Sequence, residues 1–233
     1  MRVLEDGAGT GATTRVLLGA LTSLGGTFPK HTRYLQYDFT DISSGLFEKA
    51  KENFQDFPRL HFLTLDIEKD SSSQGFELGS YDLIVASLVL HVMKELVVTL
   101  KHVRSLLRPG GKLILLEFVK PELSRFSFSV GLSSESYQHS DPLVTGSKWH
   151  QILVDEGFTG KDLELKDFED ENCSKLSLIL STALADPPMD NINRINHEIV
   201  LITLGLLSAE AGIERSRDYL ESQGYRTTQV NSL

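Results

Sequence analysis

Two sets of side chains in this sequence have types and spacings that could do chemistry. The first is a glycine-rich turn, Glu5-Asp6-Gly7-Ala8-Gly9-Thr10-Gly11, accompanied by two later acids, Asp41 and Asp66. Glycines let the backbone turn tightly and let a ligand approach without Cβ atoms in the way. The spacing is Gly-x-Gly-x-Gly, so it does not match the Gly-x-Gly-x-x-Gly turn that seats a dinucleotide pyrophosphate. Asp41 could accept hydrogen bonds from a ribose diol, and Asp66 from the exocyclic amine of adenine. Each acid alone reads as well as a helix cap or turn aspartate. With the glycine turn they point to an adenosine-containing cofactor. The second set is His91 and Glu117. A histidine titrates near neutrality and can take a proton, while a carboxylate can orient its ring and stabilise the charged form. Taken singly, His91 reads as a capping or core histidine and Glu117 as a satisfied edge carboxylate.

The elements that must position these residues follow from periodicity. Short apolar runs alternate with longer amphipathic stretches, the pattern of a parallel sheet with crossover helices. Strands are expected at Arg2–Glu5, Arg33–Asp38, Leu60–Asp66, Tyr81–Ser87 and Lys112–Phe118. Helices are expected near Thr13–Leu24, Ser44–Asn53, Lys94–Leu107 and Ser147–Glu156. Arg108-Pro109-Gly110-Gly111 reads as a helix stop, with both glycines supplying positive φ. Leu163–Phe168 and Lys175–Thr182 have no helical pattern between them and read as an antiparallel edge hairpin. The expected fold is an α/β, doubly wound, mostly parallel seven-stranded sheet with that hairpin at its C-terminal end. The acids then fall at the carboxyl ends of adjacent strands, where open α/β sheets bind ligands. If the fourth and fifth strands are neighbours, His91 and Glu117 reach the same edge.

At this level the sequence resembles class I S-adenosylmethionine-dependent methyltransferases, through Glu5–Gly11, Asp41, Asp66 and Leu106–Gly111. Val3–Thr14, Phe39–Lys51, Tyr81–Glu117 and Trp149–Gly160 more closely resemble the C-methyltransferase domain of fungal highly reducing polyketide synthases. The resemblance covers residues 1–183 as the cofactor-binding core. It implies S-adenosyl-L-methionine as cofactor, with the methionine end near Glu5, Gly7, Ala8, Gly9 and Gly11, the ribose at Asp41 and the adenine at Asp66. Ile42, Ile67 and Ser87 complete the implied cofactor-binding set. It implies that His91 and Glu117 are a catalytic dyad: His91 removes the α-proton of a β-ketoacyl thioester, and the resulting carbon nucleophile takes the methyl group. No metal is implied. The substrate would be a polyketide on an acyl carrier protein. A free small molecule methylated on oxygen or nitrogen is the alternative, and a non-catalytic cofactor-binding fragment a further one.

Three features depart from the family pattern. Asp6 stands where an apolar residue is usual, and a carboxylate there must be paired, solvated or protonated. Gly131–Tyr137 lacks the family's large aromatics, with Tyr137 and His139 as substitutes. Related domains carry an N-terminal helical lid, expected to be absent from a sequence that starts at Met1. Phe126, Phe128 and Trp149 could line a substrate channel, although aromatics at such spacing are more often core.

Residues 184–197, with Asp186-Pro187-Pro188 and several asparagines, read as a linker. Residues 198–233 read as a partial β-α-β unit with strands at Glu198–Leu204 and Tyr225–Val230 and a helix at Ala209–Ser222, resembling the start of a structural ketoreductase-like region. The 23 Lys and Arg against 32 Asp and Glu give a net charge of −9, which speaks against nucleic acid as a partner. A single cysteine, Cys173, and the lack of a leader-like segment point to a reducing compartment such as the cytoplasm. No apolar run approaches the ~20 residues that span a bilayer.

Overall fold

The computed structural model describes residues 1–23, 31–119, 144–168, 170, 174–185, 198–202 and 226–230. Seven strands form one sheet: β1 (Arg2–Asp6), β2 (Gln36–Asp41), β3 (Leu60–Thr64), β4 (Tyr81–Ser87), β5 (Leu107–Phe118), β6 (Leu163–Lys166) and β7 (Leu176–Thr182). Their spatial order is β3-β2-β1-β4-β5-β7-β6. The first five pair in parallel, and β7 runs antiparallel to both β5 and β6. The chain winds outward from β1 to β3 and then returns to β4 on the other side of β1. That reversal opens a crevice between the carboxyl ends of β1 and β4. The expected seven-stranded sheet and its C-terminal hairpin are both present.

Alternation along the strands supplies two cores. Leu4, Ile84, Leu113 and Leu115 pack with α3 (Leu96–Leu106) and with Trp149 and Leu153 of α4 (Gly146–Asp155). Val3, Tyr37, Phe39, Leu83 and Val85 face the other way, onto α1 (Ala12–Leu21) and α2 (Phe47–Asn53). Neighbouring residues such as Val3 and Leu4 thus serve opposite faces, as a strand buried on both sides requires. Trp149 is fully buried in the core cluster, packed as a core residue of α4. Among the described residues no helix is long and apolar enough to cross a membrane.

The second strand runs over Gln36–Asp41, displaced from the expected Arg33–Asp38. The cause is polarity buried inside it. Asp38 has no exposed surface, and it accepts hydrogen bonds from the Tyr81 hydroxyl at 2.6 Å and from Gln36 Nε2 at 2.9 and 2.8 Å. Thr40 donates to the Glu5 carbonyl at 2.8 Å. Polar residues with such partners belong in a strand interior but break the apolar pattern that marks one. The first helix ends at Leu21, where Thr22–Ser23 pairs antiparallel with His31–Thr32. Residues 44–46 are a 3-10 turn ahead of α2.

Arg108–Gly111, expected as a helix stop ahead of a strand from Lys112, belongs to β5, which begins at Leu107 directly after α3; there only Gly110 adopts positive φ, at 77°. Gly111 is constrained by space: a Cβ there would lie 2.9 Å from the Arg108 carbonyl oxygen and 3.0 Å from that of Tyr81. Beyond the sheet, β8 (Glu198–Ile202) and β9 (Arg226–Val230) pair in parallel, as a β-α-β unit requires. The expected helix at 209–222, the linker residues 186–197 and the segment holding Phe126, Phe128, Tyr137 and His139 lie outside the described residues, as does Cys173.

The two glycines should respond differently to alanine. Gly110→Ala meets no atom within 4 Å and should lose about 1 kcal/mol from its left-handed backbone alone. Gly111→Ala must displace two backbone carbonyls and should lose roughly 2–3 kcal/mol. Urea unfolding of the two variants gives the comparison, and equal losses would contradict the packing described.

Candidate active site

The glycine turn leaves β1 at Asp6 and enters α1 at Gly11. Gly7, Gly9 and Gly11 all have positive φ, at 62°, 57° and 83°. A Cβ on Gly7 would fall 2.5 Å from Val89, and one on Gly11 would fall 2.5 Å from the Phe54 ring. Those two glycines are thus dictated by the protein's own packing. A Cβ on Gly9 would meet nothing nearer than 3.8 Å, so this glycine borders open space. The turn is tied to the end of β2, because the Ala8 amide donates to the Thr40 carbonyl at 2.9 Å and the Gly9 amide to Asp41 Oδ2 at 3.0 Å. The other Asp41 oxygen accepts from the Ser43 amide at 2.8 Å. Each carboxylate oxygen has capacity for a second donor, so Asp41 can receive a diol while still holding the turn.

Glu5 lies beneath the turn. Its carboxyl is buried and accepts hydrogen bonds from Thr14 at 2.6 Å and from the Tyr37 hydroxyl at 2.5 Å. Burial raises its pKa from the ordinary carboxyl value to about 7, against the opposing effect of those two donors. The sequence places Glu5 among the cofactor ligands; the structure gives it the task of joining β1, β2 and α1 under the loop. Asp6, the next residue, is 3% exposed, and its Oδ2 finds no hydrogen-bond partner among the described residues. Burial first, then the charges of Asp41, Asp66 and Glu5, raise its pKa to about 7 as well, against the opposing effect of a hydrogen bond from the Gly7 amide.

The remaining cofactor candidates divide between exposed and buried. Ile42 is 67% exposed directly after Asp41, an apolar side chain left uncovered at the sheet's carboxyl edge. Ile67 is buried in the core beside Leu4 and Leu65. Asp66 accepts from the Glu68 amide at 3.2 Å and pairs with Lys69 at 2.9 Å, and that pairing holds its carboxyl below the usual range. Ser87, at the end of β4, receives a hydrogen bond from Thr13 at 3.1 Å, which connects β4 to the first turn of α1.

His91 and Glu117 come together. Glu117 has no exposed surface; its Oε1 accepts from the Leu90 amide at 2.8 Å and the Val89 amide at 3.2 Å, and its Oε2 lies 2.9 Å from His91 Nδ1. A carboxylate can only accept, so Nδ1 carries the proton and Nε2 of the neutral ring holds the lone pair. The Phe118 ring stands edge-on to the imidazole at 5.7 Å. Val89 therefore links the two sets of residues, its amide meeting Glu117 and its side chain lying against Gly7. Sequence reasoning did not find Thr14, Tyr37 or the Val89 and Leu90 amides. The threonine just after the glycine turn was the available signal for the first; backbone amides leave none.

These residues fit an adenosine cofactor on the sheet edge: Gly9 leaves room for close approach, Asp41 retains acceptor capacity for a ribose, and the exposed Ile42 offers an apolar surface for a purine face. Among the described residues no group of three or more His, Cys, Asp or Glu is placed to hold a metal ion.

Comparison with known proteins agrees with that chemistry. Residues 4–113 match the methyltransferase domain family. The chain is 49% identical over 191 residues to the highly reducing polyketide synthase azaB of Aspergillus niger, an alignment covering 79% of this chain and 8% of that protein. It is 38% identical over 211 residues to the lovastatin diketide synthase mokB of Monascus pilosus, covering 88% of this chain and again 8% of the relative. It thus spans less than a tenth of these curated relatives. Among solved structures, the CurJ carbon methyltransferase superposes with a TM-score of 0.65 at 37% identity, covering 79% of this chain and 49% of that one. The trans-methyltransferase CalH, solved with S-adenosylhomocysteine, superposes with a TM-score of 0.69 at 34% identity, covering 78% and 51%.

The raised carboxyls of Glu5 and Asp6 give stability a definite pH dependence. In the unfolded chain they ionise near their ordinary values of 4.5 and 3.8, whereas in the fold they keep their protons to about 7. Their stabilising contribution is complete below pH 3.8 and is lost as pH rises through 7. Carboxylates held in the opposite sense, such as Asp66, offset it at the acid end. Thermal melts should show stability falling between pH 5 and pH 7, and the fall should be smaller in Glu5→Gln and Asp6→Asn, a trend that a parent and variants of equal slope would contradict.

Proposed function

We propose that this chain, which belongs to the S-adenosylmethionine-dependent methyltransferases and is homologous to the C-methyltransferase regions of fungal highly reducing polyketide synthases, methylates the α-carbon of a β-ketoacyl thioester carried on an acyl carrier protein. The observation that carries the reading is the 2.9 Å hydrogen bond between His91 Nδ1 and a Glu117 that two backbone amides hold in place. Methyl transfer to oxygen or nitrogen can use a lone pair already present. Transfer to carbon needs a carbanion equivalent, and hence a base.

When bound, S-adenosylmethionine supplies a methyl group on a positively charged sulfur. The protein's residues do the rest. Asp41 and the glycine turn hold the cofactor at the carboxyl ends of β1 and β2. His91 Nε2 takes the proton from the substrate's α-carbon, leaving an enolate. Glu117 accepts from Nδ1 throughout, fixing the tautomer beforehand and stabilising the imidazolium afterwards. With the cofactor bound, the enolate carbon would take the methyl group it supplies, and holding both reactants on the sheet edge would lower the barrier.

The test supplies a β-ketoacyl thioester and methyl-labelled cofactor to the parent and two variants. His91→Ala should lose 10²- to 10⁴-fold in label transfer, the usual worth of a positioned base. Glu117→Gln keeps a carbonyl for the Val89 and Leu90 amides but turns an amide N–H toward Nδ1. The ring should take the other tautomer, with Nε2 protonated, and the loss should be similar. Cofactor binding in both variants establishes that the fold is intact. His91→Ala transferring label at the parent rate would overturn the assignment, and label appearing on free hydroxyl acceptors in preference to the thioester would favour a small-molecule methyltransferase.

A further inference from the structure

Among the described residues at the carboxyl edge of the sheet, Asp6 is an acid whose burial is only partly matched by partners, its carboxyl meeting the Gly7 amide while Oδ2 meets none. Glu5 has Thr14 and Tyr37, Asp41 has the Gly9 and Ser43 amides, and Asp66 has Lys69 and the Glu68 amide. Asp6 has a buried Oδ2 with no partner among the described residues. It sits at the last position of β1, at the mouth of the glycine turn and within the fields of Asp41 and Asp66. Removing the hydrogen-bonding capacity of such an oxygen would normally be favourable, because an unsatisfied buried polar atom is costly to keep. Oδ2 is thus an unmet buried acceptor at the carboxyl edge of the sheet.

We propose that Asp6 discriminates the charge of the bound cofactor, standing ionised opposite the sulfonium of S-adenosylmethionine and protonated opposite the neutral thioether S-adenosylhomocysteine. The inference rests on the cofactor reading given above. In methyl transfer the carbon–sulfur bond breaks, its electron pair stays on sulfur, and the methyl group bonds to the acceptor carbon. The positive charge at sulfur is consumed with the negative charge of the enolate. An ionised Asp6 then faces no cation and takes a proton from water. The site thereby favours the charged cofactor over the spent one, which otherwise presents nearly the same surface.

Around Asp6 the ionisable groups are Glu5 on its own strand, Asp41 at the end of β2 and Asp66 after β3, whose charge Lys69 partly meets. From β4 the facing residue is Ala86, which carries no charge. Beyond it the His91 and Glu117 side chains are bonded to each other. Glu5, on the opposite face, also holds its proton to about 7, so the pH response of the whole site contains its contribution too. A substitution at Asp6 separates the two.

The experiment is calorimetric titration of the full chain with S-adenosylmethionine and with S-adenosylhomocysteine from about pH 6 to about pH 8, in two buffers of different ionisation enthalpy. For the parent, binding of S-adenosylmethionine should release protons, and its affinity advantage over S-adenosylhomocysteine should grow with pH by about three- to tenfold, tenfold being one unit of pKa change. In Asp6→Asn that growth should vanish apart from the ligands' own amino groups, which titrate alike against both proteins. Asp6→Leu, which removes the unsatisfied oxygen, should behave as Asp6→Asn does and melt higher than the parent. Binding with the same pH slope in parent and Asp6→Asn overturns the inference and leaves the methyltransferase reading standing. Binding of neither ligand at any pH overturns that reading, and the inference with it.

Discussion

A carboxylate without exposed surface must have its charge met inside the protein, and at Glu117 this requirement joins two segments. Two donors are backbone amides of the segment after β4, and the third is His91 of the same segment. The amides can reach Glu117 only if β4 and β5 are adjacent and in parallel register. They are, with Ser87 opposite Leu116 and the Leu88 amide donating to the Leu116 carbonyl at 2.8 Å. Leaving a buried carboxylate unmet costs several kcal/mol, more than any single contact nearby supplies. The interaction therefore fixes where β4 ends and how its following residues return over β5. Because Val89 then lies against Gly7, it also sets the position of the glycine turn.

At the opposite edge of the sheet a second buried acid, Asp38, is met differently. Tyr81, Gln36 and His61 surround it, and Arg2 lies over the Tyr81 ring at 5.0 Å while pairing with Glu77 at 2.7 Å. Burial and the nearby Asp38 hold the Tyr81 phenol firmly protonated, which keeps it a donor. These partners come from β1, β2, β3 and β4, so the network fastens the amino ends of four strands. Every Asp38 oxygen is satisfied there. Its counterpart at the carboxyl edge is Asp6, with an oxygen that is not. The sheet thus satisfies Asp38 near its amino end and keeps an unmet acceptor of Asp6 at the carboxyl edge, the edge where open α/β sheets bind ligands.

Much of this was legible from the sequence, because the signals were local or periodic. The alternation of apolar runs placed the strands, and the glycine turn could be read since Gly7, Gly9 and Gly11 answer to backbone demands that only glycine meets without strain. The hairpin followed from the short distance between its runs. What escaped was whatever depended on partners distant in sequence. Asp38 and Thr40 looked like the end of a strand, since nothing local shows that Tyr81, His61 and the Glu5 carbonyl would receive them. The partners of Glu5 escaped for the same reason, its bonds to Thr14 and Tyr37 being tertiary. Gly111 looked like a second left-handed glycine, although its constraint is two carbonyls that close on it from outside. His91 and Glu117 could be named as a pair, but the amides that hold Glu117 belong to no residue type and leave no mark in the sequence.

Leu88 shows which force prevails where local preference and the buried charge disagree. Its φ is 55°, in a region that leucine occupies at a cost of roughly 1–2 kcal/mol and that glycine or asparagine enters more readily. Nothing in its own contacts offsets that cost, for it is partly exposed and its amide makes one hydrogen bond, to Leu116. The compensation lies one and two residues later. The turn at Leu88 aims the Val89 and Leu90 amides at Glu117, and hydrogen bonds to a charged group are worth about 1.5–3 kcal/mol each. Two such bonds exceed the strain, so the chain accepts a left-handed leucine to complete the carboxylate's shell. The same turn carries His91 back toward Glu117 rather than onward with β4. The strained residue, the buried charge and the basic nitrogen are thus parts of one arrangement, and relieving the first without keeping the other two would gain stability at the expense of the geometry that orients the base.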